Sequence, residues 1–374
     1  MFLGPLVFFA TGLSHAGGFL QYVFQRGYEP ANSRADVVLV TSSQMAIYLG
    51  TQFLTAIVFA SSGNLVKHIW LLFGVLVWTA GVVGTSFTTS YDQLLGVYTS
   101  LVGLGASILY WGPLAIAMKS QKDTLIMLAF ASLGELFHFW VVSGYLTLPL
   151  WRQTLQILGG VGGGVMITSV LLSLIFTKPK QSSSTKTAQK PVFLTIGFGI
   201  LVLAALCFNV VSNTPYQHLV TFLTYERGID EYYVTMVMGT FSIAGLVGRL
   251  LPLPILGLYD DSLYLLILTT LVTILVPSGW FLIQDFIGAL LFAVFAGLTS
   301  SLQSSFLMAT VAKISDSPFA MTPLSVISMG FACMVSGYVY AEILLTGGFH
   351  VASGFLVGFQ SLSFLLTAIA YILI

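Results

Sequence analysis

Apolar runs long enough to cross a bilayer succeed one another along almost the whole 374-residue chain. They fall at roughly 2–24, 37–60, 69–88, 93–118, 124–148, 154–176, 192–224, 232–257, 263–283, 286–311, 319–346 and 351–374. A helix needs about 20 apolar residues to cross roughly 30 Å of hydrocarbon. The strands of a membrane barrel alternate apolar and polar residues over about 10 positions. Runs such as LLFGVLVWTAGVVG (71–84) do not alternate, so they read as helices. Only 7% of the residues are charged and 57% are hydrophobic, whereas a soluble domain carries about 25% charge. The expectation is an all-α integral membrane protein with twelve transmembrane helices.

Other classes find little support. The net charge is zero, so charge points to no nucleic-acid partner. Cys207 and Cys333 both lie in apolar runs without metal-site spacing and read as buried free thiols. The glycine-rich GGVGGG (159–164) has no strand before it and no Lys-Ser/Thr after it, so close helix packing explains it better than a phosphate loop. No cofactor is expected, and no nucleophile–base pair marks an enzyme. Residues 2–24 lack a preceding Lys or Arg and a following cleavage site, so they read as a retained first helix rather than a signal peptide. The abrupt apolar start equally fits an amino terminus that is missing.

Lysine placement supports the count of twelve. With both termini in the cytoplasm, the cytoplasmic links hold every lysine of the chain: Lys67, Lys119, Lys122, Lys178, Lys180, Lys186, Lys190 and Lys313. The opposite links hold Arg26, Arg34, Arg152 and Arg227 with most of the acids. Positive residues sort inward in this way, and a shift by one helix would scramble the pattern. The one hydrophilic linker, TKPKQSSSTKTAQKP (177–191), reads as flexible and solvated. It divides the chain into an N-terminal bundle, 1–176, and a C-terminal bundle, 192–374, of six helices each.

The two halves match at a single offset of 194 residues. Gly103, Leu104, Ser107, Ala115 and Lys119 fall on Gly297, Leu298, Ser301, Ala309 and Lys313. The same offset places Gly63, Leu71 and Leu72 on Gly257, Leu265 and Leu266. Two parallel six-helix repeats around a midplane cavity make up the major facilitator architecture.

Short motifs point further. The segment NTPYQHLVTFLTYERGIDEYYVTMVMGTFSIAGLVGR (213–249) pairs a proline with a tyrosine and ends in Gly-x-x-Gly-Arg. It resembles helices 7 and 8 of the monocarboxylate transporter family in its fungal-type branch. GGFLQYVFQ (17–25), LYWGPLAIA (109–117) and WRQTLQILGG (151–160) are similar to that family's first, fourth and sixth helices. The resemblance implies the major facilitator fold and transport of a small organic acid. Departures accompany it. The family's helix-1 lysine has no counterpart before Lys67, and the acid one turn before the helix-8 arginine is replaced by Gly245. The loop after helix 2, GNLVKH, keeps only Gly63 and Lys67 of the family pattern. Proton-coupled lactate transport is therefore not implied.

Ionisable groups at membrane depth are costly and mark a pathway or a paired site. Arg249 must find an anion or several carbonyls, or else snorkel toward the cytoplasm or bond Asp260 or Asp261. Glu135 and His138 share a face of helix 5. They either neutralise each other or handle substrate or protons, and Glu135 facing Arg249 across helices 5 and 8 is a conceivable gate pair. His15, midway along helix 1, either packs with its ring bonded to a carbonyl or lines the cavity. Helix 7 spans 33 residues, about 50 Å if straight, so it must bend or protrude, with Pro215 as the expected bend. Asn209, Asn213 and Tyr216 then supply polar surroundings for substrate or for the kink itself. Tyr110, beside the Gly112-Pro113 break of helix 4, and Gln303 in helix 10 complete the candidate substrate contacts.

The resulting expectation is a secondary transporter of a small organic solute, a monocarboxylate-like acid or related metabolite, with or without a proton. It would act as a monomer in the plasma membrane or an internal, vacuolar-type membrane. The alternative is a transporter-like nutrient sensor or a membrane partner subunit that no longer transports.

Overall fold

A computed structural model describes residues 2–28, 34–117, 120–145, 150–176, 195–314 and 321–374. The linker 177–191 and Lys119 lie outside the described residues. The described chain is helical throughout and contains no strand. Twelve segments follow in order. In the first half α1 joins Gly4–His15 to Gly17–Gly27, α2 joins Arg34–Gly50 to Gln52–Ser61, and α3 is Asn64–Thr85. Then come α4, Tyr91–Ala117, α5, Gln121–Tyr145, and α6, Trp151–Phe176. In the second half α7 is Ile196–Glu226, α8 is 231–258, α9 is Ser262–Gly279 and α10 is Phe286–Ile314. Finally α11 covers 321–346 and α12 runs from 349 to 373, separated at Gly348, whose φ of 73° suits only glycine.

By length and composition alone, nine spans among the described residues can cross a membrane. Their exposure separates centre from periphery. In α4, 78% of the most apolar window is buried, against 39% in α3. Large apolar side chains such as Leu76, Ile157 and Ile175 stand exposed on α3 and α6. Such a surface is stable against lipid tails and not against water. Together the apolar spans and this lipid-facing surface make the chain a multi-pass integral membrane protein.

Helices in lipid approach closely where small residues permit it. A methyl at Gly134 of α5 would overlap the Phe8 carbonyl of α1, and one at Gly105 of α4 would lie 2.5 Å from the Trp78 amide of α3. The internal repeat reappears as geometry. Gly103 of α4 packs on Gln44 and Ile47 of α2, and Gly297 of α10 packs on Phe241 and Ala244 of α8. The 194 offset carries Ile47 to Phe241 and Gly103 to Gly297, so the same crossing is built twice.

Two expected breaks are not where helical geometry departs. Both α4 and α7 run through Pro113 and Pro215 as α-helix. A proline removes one donor, and a single lost bond is tolerated in a packed helix. The irregular stretches are π-helical instead: Leu95–Val102 in α4, Phe222–Glu226 at the end of α7, and Leu324–Phe331 and Val335–Val339 in α11. The 31 helical residues of α7 reach about 46 Å, longer than a bilayer core is thick.

Candidate functional site

The first half of α1 ends at His15, where the chain turns at Ala16 (ψ 5°) between two short helices. Thr11 and His15 stand one turn apart and share a face. The His15 Nδ1 lies 2.9 Å from the Thr11 carbonyl. A carbonyl only accepts, so Nδ1 carries the hydrogen and Nε2 is left as the acceptor. On α7, Asn209, Ser212, Asn213 and Tyr216 recur every three or four residues and form a polar stripe down one side of the helix.

These two helices face each other across a cavity between the halves. It offers about 70 Å³ to water-sized molecules, room for several waters or one small solute. One wall is aromatic, with His15 of α1, Tyr48 of α2, Tyr110 of α4 and Tyr216 of α7. The His15 and Tyr216 rings meet edge to face with centroids 4.6 Å apart, and those of Tyr48 and Tyr110 lie 5.3 Å apart. The other wall carries the amides of Asn209 and Asn213 and the hydroxyls of Ser300, Ser301 and Ser304 on α10. Asn209 donates to the Ala205 carbonyl at 2.8 Å. The Asn213 amide nitrogen has no hydrogen-bond partner, although the residue is only 6% exposed.

Arg249 closes the charged end of the cavity. Its Nη2 lies 2.8 Å from Glu135 Oε1, and its Nη1 donates to the Leu128 carbonyl at 3.3 Å. Glu135 is fully buried on α5. Its Oε2 accepts from the Tyr216 hydroxyl at 3.3 Å, and His15 Nδ1 is 3.8 Å from Oε1. Three helices thus converge on one carboxylate. Breaking such a pair by removing one partner costs about 3–5 kcal/mol, because it leaves a buried charge uncompensated. Gly245, where the resembled family has its acid, packs on Ser301 of α10. The acid that meets Arg249 comes instead from α5.

Of the residues read as candidates from the sequence, His15, Tyr110, Asn209, Asn213, Tyr216 and Arg249 share this cavity, with Glu135 behind Arg249. His138 and Gln303 stand elsewhere. His138 is fully buried against Phe8 and Phe9 of α1, with Nδ1 2.7 Å from the Gly134 carbonyl. Three residues from Glu135 on the helix, it turns into the α1–α5 packing and makes no pair with that acid. Gln303 bonds Thr270 and Thr273 of α9, at 2.8 and 2.7 Å, and lies 3.3 Å from Gln360 of α12. It is one residue before Ser304, hence about 100° round α10 and turned away from the cavity.

Thr11, Tyr48 and Ser212 also line the cavity and were not singled out from the sequence. The 194 offset gives no signal for these three. It pairs His15 with Asn209 and Tyr110 with Ser304, and all four stand on the cavity wall.

No protein-family model matches the chain, and no curated protein does. Among solved structures it is similar to the crystal structure of a Major Facilitator Superfamily transporter, FucP, in the outward conformation. The match has a TM-score of 0.71 at 13% identity and covers 99% of this chain and 97% of that one. The chain has the major facilitator fold. Within that fold the cavity lies between the halves, with six lining residues from the first and eleven from the second.

Proposed function

We propose that the chain is a secondary transporter that moves a small monocarboxylate-like organic acid across a membrane by alternating access, one six-helix half rocking against the other. The observation that carries this reading is the buried Arg249–Glu135 pair at the wall of a cavity shared by the two halves. A guanidinium at membrane depth is costly to maintain and is kept where it meets a charged ligand.

At rest, Arg249, Glu135 and a neutral His15 sum to zero charge. A carboxylate entering the cavity meets Arg249, whose side chain lines it. It also meets the donors of Asn213 and the α10 serines. The added negative charge is offset when one proton accompanies it, held at Glu135 or at His15 Nε2. The enclosed site then stays neutral, which favours crossing a low-dielectric barrier. Glu135 on α5 supplies the acid that Gly245 does not. Lysine sorting supports both termini in the cytoplasm. The protein is read as a monomer without a cofactor, in the plasma membrane or a vacuolar-type membrane.

Uptake by purified protein in vesicles tests this directly, against a panel of radiolabelled monocarboxylates and neutral polyols, with and without an inward pH gradient. Saturable uptake of an acid, stimulated by the gradient, is expected. No uptake of any solute by protein that remains folded favours the sensor or partner-subunit reading.

A further inference from the structure

Immediately beyond Tyr216 of the cavity wall, on the side opposite the chain termini, a polar cluster ties the halves together. Ser42 of α2 belongs to the first half, and Gln217 and Gly337, of α7 and α11, belong to the second. The Ser42 hydroxyl donates to Gln217 Oε1 at 2.8 Å. A methyl at Gly337 would overlap both Ser42 Oγ and Gln217 Oε1. Glycine is therefore what allows α2, α7 and α11 to close at this level.

The bonds are divided in a telling way. Gln217 Nε2 donates within its own half, to the Cys333 carbonyl and Ser336 Oγ, both at 3.3 Å. His218 Nε2 donates to the Ser336 carbonyl at 2.9 Å and the Gly337 carbonyl at 3.2 Å, again within that half. Ser42 Oγ also reaches the Val38 carbonyl of its own helix at 2.7 Å. Of these bonds, the Ser42–Gln217 bond crosses between the halves, and beside it the Ser43 hydroxyl reaches Met334 Sδ at 3.9 Å. When the Ser42–Gln217 bond breaks, Ser42 falls back on Val38 and Gln217 keeps its amide bonds, so separation leaves no donor stranded.

The helix that carries Gly337 is also the least regular. In α11, π-helical stretches occupy Leu324–Phe331 and Val335–Val339, on either side of a single α turn. Such stretches inside long helices mark positions where a helix can re-pack. Within the first of these stretches, Gly330 of α11 meets Gly50 of α2, with a Cβ at Gly330 only 2.8 Å from the Gly50 Cα. This is a close glycine crossing about which two helices can pivot, with the Thr322 hydroxyl of α11 donating to Gln52 Oε1 of α2 at 2.8 Å nearer the termini.

We propose that Ser42, Gln217 and Gly337 form a releasable latch that holds the cavity shut on the side opposite the termini. In this device α11 pivots at Gly50–Gly330 and the π-helical stretches absorb its movement. The proposal rests on the alternating-access reading above but needs no knowledge of the solute.

The test uses the full chain with Cys207→Ala and Cys333→Ala, and Ser212→Cys as a reporter on the cavity wall. A membrane-impermeant maleimide is applied from the side opposite the termini. Gly337→Ala is expected to raise the labelling rate about tenfold or more, as a population shift toward the open state. Should Gly337→Ala not fold, Gln217→Ala removes the crossing bond without adding bulk and is expected to raise labelling by about threefold or more. Unchanged labelling in a folded variant, or a rise only from the side of the termini, overturns the latch. If labelling responds as expected while no solute is ever taken up, the transport reading fails and the latch stands. If uptake is found and labelling does not respond, the reverse holds.

Discussion

Arg249 Nη2 of α8 lies 2.8 Å from Glu135 Oε1 of α5, and this contact joins the two six-helix halves at the floor of their shared cavity. The carboxylate is fully buried and takes a further bond from the Tyr216 hydroxyl of α7. Everything polar at the charged end of the cavity is arranged around this pair.

Removing one member leaves the other uncompensated. Glu135→Leu and Arg249→Met, each alone, are expected to destabilise the protein by about 3–5 kcal/mol, whereas the double variant recovers most of that loss. Thermal unfolding in detergent, followed by tryptophan fluorescence, checks the cycle. Additive losses would mean that the two side chains do not interact.

The two histidines of the first half are expected to separate cleanly. His15 faces the cavity and His138 fills the α1–α5 packing. His15→Ala should abolish gradient-stimulated uptake with little change in melting temperature. His138→Ala should leave the Michaelis constant unchanged and cost about 2–5 kcal/mol, as a large-to-small change in a packed interior does. Uptake and unfolding measured on the same preparations decide it.

Asn213 lines the cavity, and its amide nitrogen is buried without a hydrogen-bond partner. Asn213→Ala is expected to raise the Michaelis constant for the transported acid about tenfold, the loss of one good hydrogen bond to a charged group. Stability should be unchanged or slightly improved, since the variant removes an unsatisfied donor. An unchanged Michaelis constant would take Asn213 out of the site.

Gln303 tests the opposite case. It knits α9, α10 and α12 together through Thr270, Thr273 and Gln360. Gln303→Leu strands those partners and is expected to cost about 1–3 kcal/mol in stability. Transport kinetics of the surviving protein should match those of the parent, because the side chain points away from the cavity.

Much of this was legible in the sequence, and the failures have physical reasons. The twelve segments follow from hydrophobic length, which lipid imposes on any spanning helix. The Glu135–Arg249 contact was one of several pairings the sequence left open, because charges at membrane depth need partners and helices 5 and 8 are neighbours in this fold class. His138 misled because spacing along α5 places it on the same broad face as Glu135, whereas only the neighbouring helix decides which part of that face meets the cavity. Gln303 misled for a related reason: polarity marks a residue as needing a partner and does not say whether the partner is solute or protein. Tyr48 went unnoticed within an apolar run, since a tyrosine there reads equally well as core. The prolines promised breaks that the packing does not need, while the π-helical stretches carry no recognisable signature in the sequence.

Uptake by Arg249→Ala in vesicles, compared with the parent protein for whichever acid the parent carries, tests the central claim most directly. A fall of about a hundredfold or more is expected, in protein that stays helical and monodisperse, because the charged contact to the solute is lost. Undiminished uptake by that variant would contradict the account.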